Sequence, residues 1–210
     1  MSTRTGDAGG LRLDHLVVGC RDLDAGAATV EAALGVALRP GGRHPHFGTH
    51  NRLLGLGDVY LEVVAPEPGA VAEAPRMFAL DGFSGPPRLL AYVCSVPDLD
   101  AALAGAPPEL GPGVALSRGG LTWRLTVPED GSLPEDGALP ALIEWGAGVT
   151  RPPETLPDDG CRLLRLEIAH PDAVRIAAAL GIRDARVRYD AGPPGLKAEI
   201  ATPAGPRWLC

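Results

Sequence analysis

Leu13-Asp14-His15-Leu16-Val17-Val18-Gly19, followed at once by Asp22-Leu23-Asp24-Ala25, is the stretch on which the reading of this chain turns. The first seven residues have the apolar, partly β-branched content of a strand. Asp22 then offers an N-cap to an alanine-rich segment in which Leu23, Ala27, Val30 and Leu34 recur at helical spacing until Gly35 stops it. The same order returns further on. Arg88 to Val96 reads as a strand, and Pro97-Asp98-Leu99-Asp100-Ala101-Ala102 echoes Arg21-Asp22-Leu23-Asp24-Ala25-Gly26 at an offset of 76 residues. A repeat of that length places equivalent side chains at equivalent positions of two related units.

Working outward, a short strand over 36–39 and a Pro/Gly/His loop over 40–48 precede two strands, 50–56 and 59–65, joined by a tight turn at Gly57-Asp58. In the second unit, 114–117, 121–127 and 138–145 supply the three matching strands. Leu61-Glu62-Val63 then corresponds to Ile143-Glu144-Trp145, at an offset of 82. Each unit is β-α-β-β-β. After the proline-rich link 150–157 comes a third, shortened unit: a strand over 162–169, a helix over 172–180, and strands over 185–189 and 196–201. The expected organisation is a flexible terminus over 1–10, one domain over 11–149 (modules at about 11–66 and 86–147), and a C-terminal βαββ unit over 158–203 packed on the same domain.

Composition narrows the partners. The chain has 210 residues, 45% hydrophobic and 21% charged, with 19 Lys+Arg against 26 Asp+Glu and a net charge of −7. That balance offers no footprint for nucleic acid or an anionic membrane and leaves a small molecule as the expected partner. The start of the chain lacks the apolar core of a signal peptide and no stretch is apolar enough to span a bilayer, so a cytoplasmic location is expected. Cys20, Cys94, Cys161 and Cys210 are far apart, which suits reduced and mostly buried thiols. A single lysine, Lys197, with nothing to activate it, argues against Schiff-base chemistry. Nucleophile-elbow and phosphate-loop patterns are absent from the sequence.

The first-strand segment around His15, together with Tyr60-Leu61-Glu62-Val63-Val64, resembles the vicinal oxygen chelate superfamily. The wider pattern resembles its glyoxalase-like domain family: Gly41-Gly42-Arg43-His44-Pro45, Gly48-Thr49-His50-Asn51-Arg52-Leu53-Leu54, Ser117-Arg118-Gly119 and Trp123-Arg124-Leu125-Thr126-Val127-Pro128. The resemblance implies an α+β fold in which paired βαβββ modules form a curved mixed-sheet cleft of the glyoxalase/dihydroxybiphenyl dioxygenase type. It also implies, for many members, a divalent metal on the cleft floor, with ligands from the first and last strand of each module. Carried over residue by residue, the ligands are His15, Glu62 and Glu144; the fourth position falls on Ala91. One imidazole and two carboxylates suit Zn, Ni, Mn or Fe.

Strand alternation places His15 with Val17, Glu62 with Tyr60 and Val64, and Glu144 with Leu142 on the cleft face. Asp14, Ile143 and Trp145 fall on the opposite one. The competing reading makes the glutamates salt-bridge partners of Arg118 or Arg124 and His15 a hydrogen-bonded core histidine. His44 and His46 read as solvated loop residues. His50 is a fourth ligand or general base, with Glu144 as a second proton carrier, although alternation forbids His50 and Asn51 from both pointing inward. Asn51, Arg118, Trp123 and Arg124 are the candidate substrate-binding residues; alternatively Arg124 pairs with Glu144 and Trp123 is core.

The function expected from this reading is metal-dependent isomerase, lyase or dioxygenase chemistry on chelated vicinal oxygens of a small organic molecule. The alternative is sequestration of a hydrophobic or antibiotic-like ligand. A homodimer is compatible with the related folds.

Overall fold

The structure, a computed structural model, describes residues 10–210, so the expectation for the terminus falls, apart from Gly10, outside the described residues. Eight strands form one sheet: β1 Arg12–Gly19, β2 Arg39–His44, β3 Thr49–Gly55, β4 Tyr60–Pro66, β5 Arg88–Ser95, β6 Gly113–Arg118, β7 Leu121–Thr126 and β8 Ala141–Trp145. Their spatial order is β2-β3-β4-β1-β5-β8-β7-β6. Each module is a block of four, and the blocks join where β1 runs antiparallel to β5. Inside each block the first strand is parallel to the last, β1 to β4 and β5 to β8. This is the α+β architecture of paired βαβββ modules.

The matched helix starts have the same local cause. In α1, Leu23–Leu34, the Asp22 carboxylate accepts from the Ala25 amide at 2.8 Å, and Gly35 closes the helix with φ 70°. In α2, Leu99–Leu103, Asp98 accepts from Ala101 at 2.9 Å. A second pair also recurs: Arg52 meets Asp24 at 2.5 Å, and Arg124 meets Asp100 at 2.6 Å.

Two expectations shift. Residues 40–44 belong to β2 rather than to a loop, because an edge strand tolerates Pro40 and a bulge between Pro40 and Arg43 absorbs the glycines. The C-terminal unit has four strands: β9 Arg162–Ala169, β10 Val187–Asp190, β11 Gly195–Thr202 and β12 Gly205–Leu209, in the order β10-β9-β11-β12. Here the first strand is parallel to the one directly after its helix, α4 (Ala173–Leu180), so this is not a shortened copy of a module. A single turn of helix, α3 Pro152–Thr155, lies in the proline-rich link.

The C-terminal sheet lies against the helix-bearing face of the large sheet. Leu166, Ile168, Ile176 and Ile200 share one core with Leu16, Leu34, Leu61 and Tyr92, and the Tyr92 hydroxyl meets that of Tyr189 at 2.5 Å. The concave face has its own core. Val17, Ala91, Val93, Leu125 and Ile143 are covered by Met77, Phe78, Leu80 and Phe83 from the segment between the modules. That segment packs on concave residues of both modules, Val17 and Val64 among them, and leaves a cleft between the two. Among the described residues no helix is long and apolar enough to cross a membrane.

Candidate functional site

The remaining cleft is a narrow, partly open site whose empty space, solvent at its opening included, is about 430 Å³. His15, Tyr60, Glu62 and Leu53 line it from the first module, Arg118, Trp123, Leu125, Ile143 and Trp145 from the second, His44 from edge strand β2, and Met77 and Phe78 from the connecting segment.

Its centre is a line of three side chains. Leu13 pairs with Cys94 and His15 with Val93, so Asp14 is an extra residue, a bulge in β1. The bulge breaks the alternation and sets Asp14 beside His15, where the His15 Nδ1–H donates to Asp14 Oδ1 at 2.7 Å. The other oxygen of Asp14 accepts from the Trp145 indole N–H at 2.9 Å, and the Arg151 guanidinium lies 3.9 Å away. Asp14 is only 2% exposed, and burial without these partners would be costly. A carboxylate on Nδ1 fixes the tautomer, so the His15 Nε2 lone pair faces the cleft. The imidazole also stacks on Tyr60, with centroids 4.4 Å apart and planes at 21°. Burial pushes the Tyr60 hydroxyl pKa well up, which keeps that phenol protonated.

Across from His15 Nε2, Glu62 Oε2 lies at 3.7 Å, too long for a hydrogen bond and wide enough for both acceptors to address one reacting atom. The other oxygen of Glu62 accepts from the Asn51 amide. Asn51 Oδ1 in turn accepts from the Gly42 amide at 2.7 Å and from Arg118 Nη1 at 3.2 Å. The same Nη1 donates to His44 Nε2 at 2.9 Å, while the other ring nitrogen of His44 meets the Thr49 hydroxyl at 3.0 Å. Burial, against the pull of Glu62 and helped by Arg118, lowers the His44 pKa below its ordinary value, so this imidazole accepts as the neutral form. Arg118 thus joins edge strand β6 to edge strand β2 and nearly closes the sheet. Gly42 is required there, since a Cβ would sit 2.5 Å from Arg118 Cδ.

Three anticipated residues lie elsewhere. Leu53 stands opposite Glu62 and Arg52 opposite Val63, while Leu125 stands opposite Ile143 and Arg124 opposite Glu144. Because Arg52 and Arg124 make the same ion pair with their module's helix, the structural equivalent of Glu62 is Ile143, and that of Val63 is Glu144. Glu144 therefore turns to the helix face, where it accepts from the Leu99 amide at 3.0 Å and from Arg124 at 3.4 Å. It cannot ligate one ion together with His15. Arg124 leaves the cleft for the same reason. His50 goes to the face that carries Arg52 and Leu54, because Asn51 points inward; its Nε2 is buried without a hydrogen-bond partner. His15, Glu62, Asn51, Arg118 and Trp123 do come together. His44 and Asp14 complete the group, and neither is anticipated by the sequence pattern, which puts one in a loop and the other on the wrong face.

The donor set does not fit the anticipated divalent centre. His15 and Glu62 supply two donors where a catalytic metal takes three from the protein, Ile143 stands where the third was expected, and the nearest remaining imidazole nitrogen is occupied by a guanidinium. Among the described residues, three possible ligands do gather at the start of α4: Glu135, His170 and Asp172, with ligand atoms within 4.8 Å of one another. Arg175 contacts both carboxylates there, and the Asp172 amide donates to His170 Nδ1. The thiols offer no nucleophile to the cleft. Cys20, Cys94 and Cys161 are buried and free, and burial, followed by the Asp22 charge, pushes the Cys20 pKa up to about 11.

No curated protein is significantly similar to the chain. A hypothetical protein from Staphylococcus aureus shares 14% identity over 87% of this chain and 86% of its own, with a TM-score of 0.61, which is a likeness of fold. A methylmalonyl-CoA epimerase in complex with methylmalonyl-CoA and NH4+ shares 21% identity over 68% of this chain and 99% of its own, with a TM-score of 0.48. For the Mycobacterium tuberculosis methylmalonyl-CoA epimerase the values are 21%, 65%, 86% and 0.43. The family model of a glyoxalase-like domain matches residues 13–183, from the strand that carries His15 into the C-terminal unit. The chain belongs to the glyoxalase-like domain family, within the vicinal oxygen chelate superfamily.

Proposed function

We propose that this protein is an enzyme of the isomerase type, in which His15 moves a proton at a carbon or oxygen next to a carbonyl of a small organic substrate. The observation that carries the reading is the line Asp14, His15, Glu62. A carboxylate holds one ring nitrogen, and the other nitrogen and a second carboxylate converge on a single spot in a cleft walled by Trp123, Trp145 and Phe78. That is the arrangement of an oriented general base with a second acceptor, for which geometry is the first requirement. Donors near the spot, Arg118 and the Asn51 amide, are suited to an oxygen that gains negative charge as the proton leaves. Lyase and dioxygenase chemistry have no comparable group of side chains behind them.

A second reading has its own support. Arg118 and Asn51 already engage one another and Glu62 beneath an aromatic wall, the pattern expected of a protein that only sequesters its ligand. The experiment that separates the two is solvent deuterium uptake at the α-carbons of small α-hydroxycarbonyl and 2-oxo compounds, followed by proton NMR. The enzyme reading expects uptake by the wild type, a fall of about 10²–10⁴-fold for His15→Ala and about 10–100-fold for Asp14→Asn. Uptake no faster than in buffer for every compound sinks the enzyme reading in favour of sequestration.

A further inference from the structure

We infer that Arg118 is the receptor for a single carboxylate, so that the ligand of the cleft is a small monocarboxylate with a flat, apolar body. The inference rests on the cleft being the ligand site, and it deepens that reading by naming the class of molecule. Its starting point is the company arginines keep in this chain. The other partly buried arginines, from Arg39 and Arg52 to Arg186, meet carboxylates at 2.5–3.9 Å. Arg118 is partly buried as well, yet among the described residues its hydrogen bonds go to two neutral acceptors, the His44 imidazole and the Asn51 carbonyl, and both use Nη1. A guanidinium has five donors in a planar fork, and the two bonds on Nη1 leave the edge formed by Nε and Nη2 for an incoming anion.

The surroundings select the anion. The guanidinium carbon lies 6.0 Å from the centroid of the Trp123 ring, and Trp145, Leu125 and Ile143 continue that wall, so the part of the ligand beyond its charged group must be apolar and benefits from being flat. Two cations stand near two carboxylates: Arg151 already faces Asp14, which leaves Arg118 as the cation open to a ligand with Glu62 close by, so a single negative charge is accommodated and a dianion such as a phosphomonoester is repelled. The carboxylate anchors one end of the ligand at Arg118, beside Asn51 and Glu62, with its body against Trp123 and Trp145. His44 is the placeholder: neutral, it shares Nη1 without competing for the charge.

The test uses matched pairs as probes: benzoate, phenylacetate and 3-phenylpropionate, each against its primary amide, with phenyl phosphate as the dianion. Binding is read by saturation-transfer NMR and by indole fluorescence. At least one carboxylate is expected to bind with Kd below about 10 mM and at least about tenfold tighter than its amide, with phenyl phosphate no better than the amides. Arg118→Gln should erase the carboxylate preference, while Arg124→Gln, on the other face of the same sheet, should keep it. The inference is overturned if no carboxylate binds in that range, if amides bind equally well, or if Arg118→Gln retains the preference. Should Arg118→Gln fail to fold, the carboxylate-to-amide ratio of the wild type decides alone. Carboxylate binding without any deuterium uptake would remove the enzyme reading and leave this assignment standing.

Discussion

The two modules share a backbone and almost nothing of their concave surfaces. On the first, His15, Asn51 and Glu62 point inward; at the matching ladder positions the second carries Trp123 for Asn51 and Ile143 for Glu62, and its first strand shows Ala91 and Val93. On the helix-bearing side the modules have stayed alike, with the same Asp caps and the same Arg-Asp pair. The difference teaches that in this chain duplication has separated two tasks. The first module supplies groups that can move protons, and the second supplies a wall and one cation. Fold demands on the helix side apply equally to both copies, whereas the imidazoles and the carboxylate that line the cleft belong to only one.

The most severe way to break the contrast is to give the second module the first module's carboxylate. Ile143→Glu places an acid at a position 2% exposed and surrounded by Val93, Leu125 and Met77, and is expected to lower the unfolding free energy by about 2–4 kcal/mol in a urea titration. A loss below about 0.5 kcal/mol would mean that the second module's inner face tolerates charge and the contrast is superficial. Glu62→Gln against Glu144→Gln is the next sharpest comparison. If Glu62 serves the cleft and Glu144 serves helix α2, deuterium uptake falls about 100-fold in the first variant and stays within about twofold in the second. Equal losses would return Glu144 to the reacting centre.

The smallest expected effect is a pH dependence centred on a residue of the first module, His44. Burial holds the folded pKa of His44 below the ordinary 6.5. Below pH 6.5 the unfolded chain binds the proton more readily than the folded one, so this contribution to stability is complete above pH 6.5 and is lost as pH falls through the folded value. Urea midpoints measured between pH 8 and 5 should decline more for the wild type than for His44→Gln; parallel curves would show that His44 does not titrate on unfolding.

Much of the fold could be read in advance because its signals are local. The Asp-Leu-Asp-Ala repeat marks two helix starts, and the alternating strands around Gly57-Asp58 mark a hairpin. The site was legible where alternation holds without interruption, as in β4 with Glu62, and in the segments that brought Asn51, Arg118 and Trp123 forward. It was misread where register decides. Ile143-Glu144-Trp145 aligns with Leu61-Glu62-Val63 on a shared glutamate between two apolar residues, yet the ladder is one residue out of step with that match, and a one-residue slip turns a side chain to the other face. Asp14 is hidden for a related reason, since a bulge leaves no signature in a run such as Leu13 to Val18. His44 is concealed by Pro40-Gly41-Gly42, which look like a loop and are in fact the thin edge that lets Arg118 and Asn51 approach.

Met77 and Phe78 line the 430 Å³ cleft and also a neighbouring apolar cavity of about 330 Å³ bounded by Ala91, Leu110 and Val127. They form a partition, and they come from the connection between the modules rather than from either sheet. The reach available to a bound molecule is thus governed by a segment outside both ladders. Trimming Phe78 would remove a side chain that cleft and cavity share, and drift in that connection can retune the shape of the cleft while Asp14, His15 and Glu62 stay where they are.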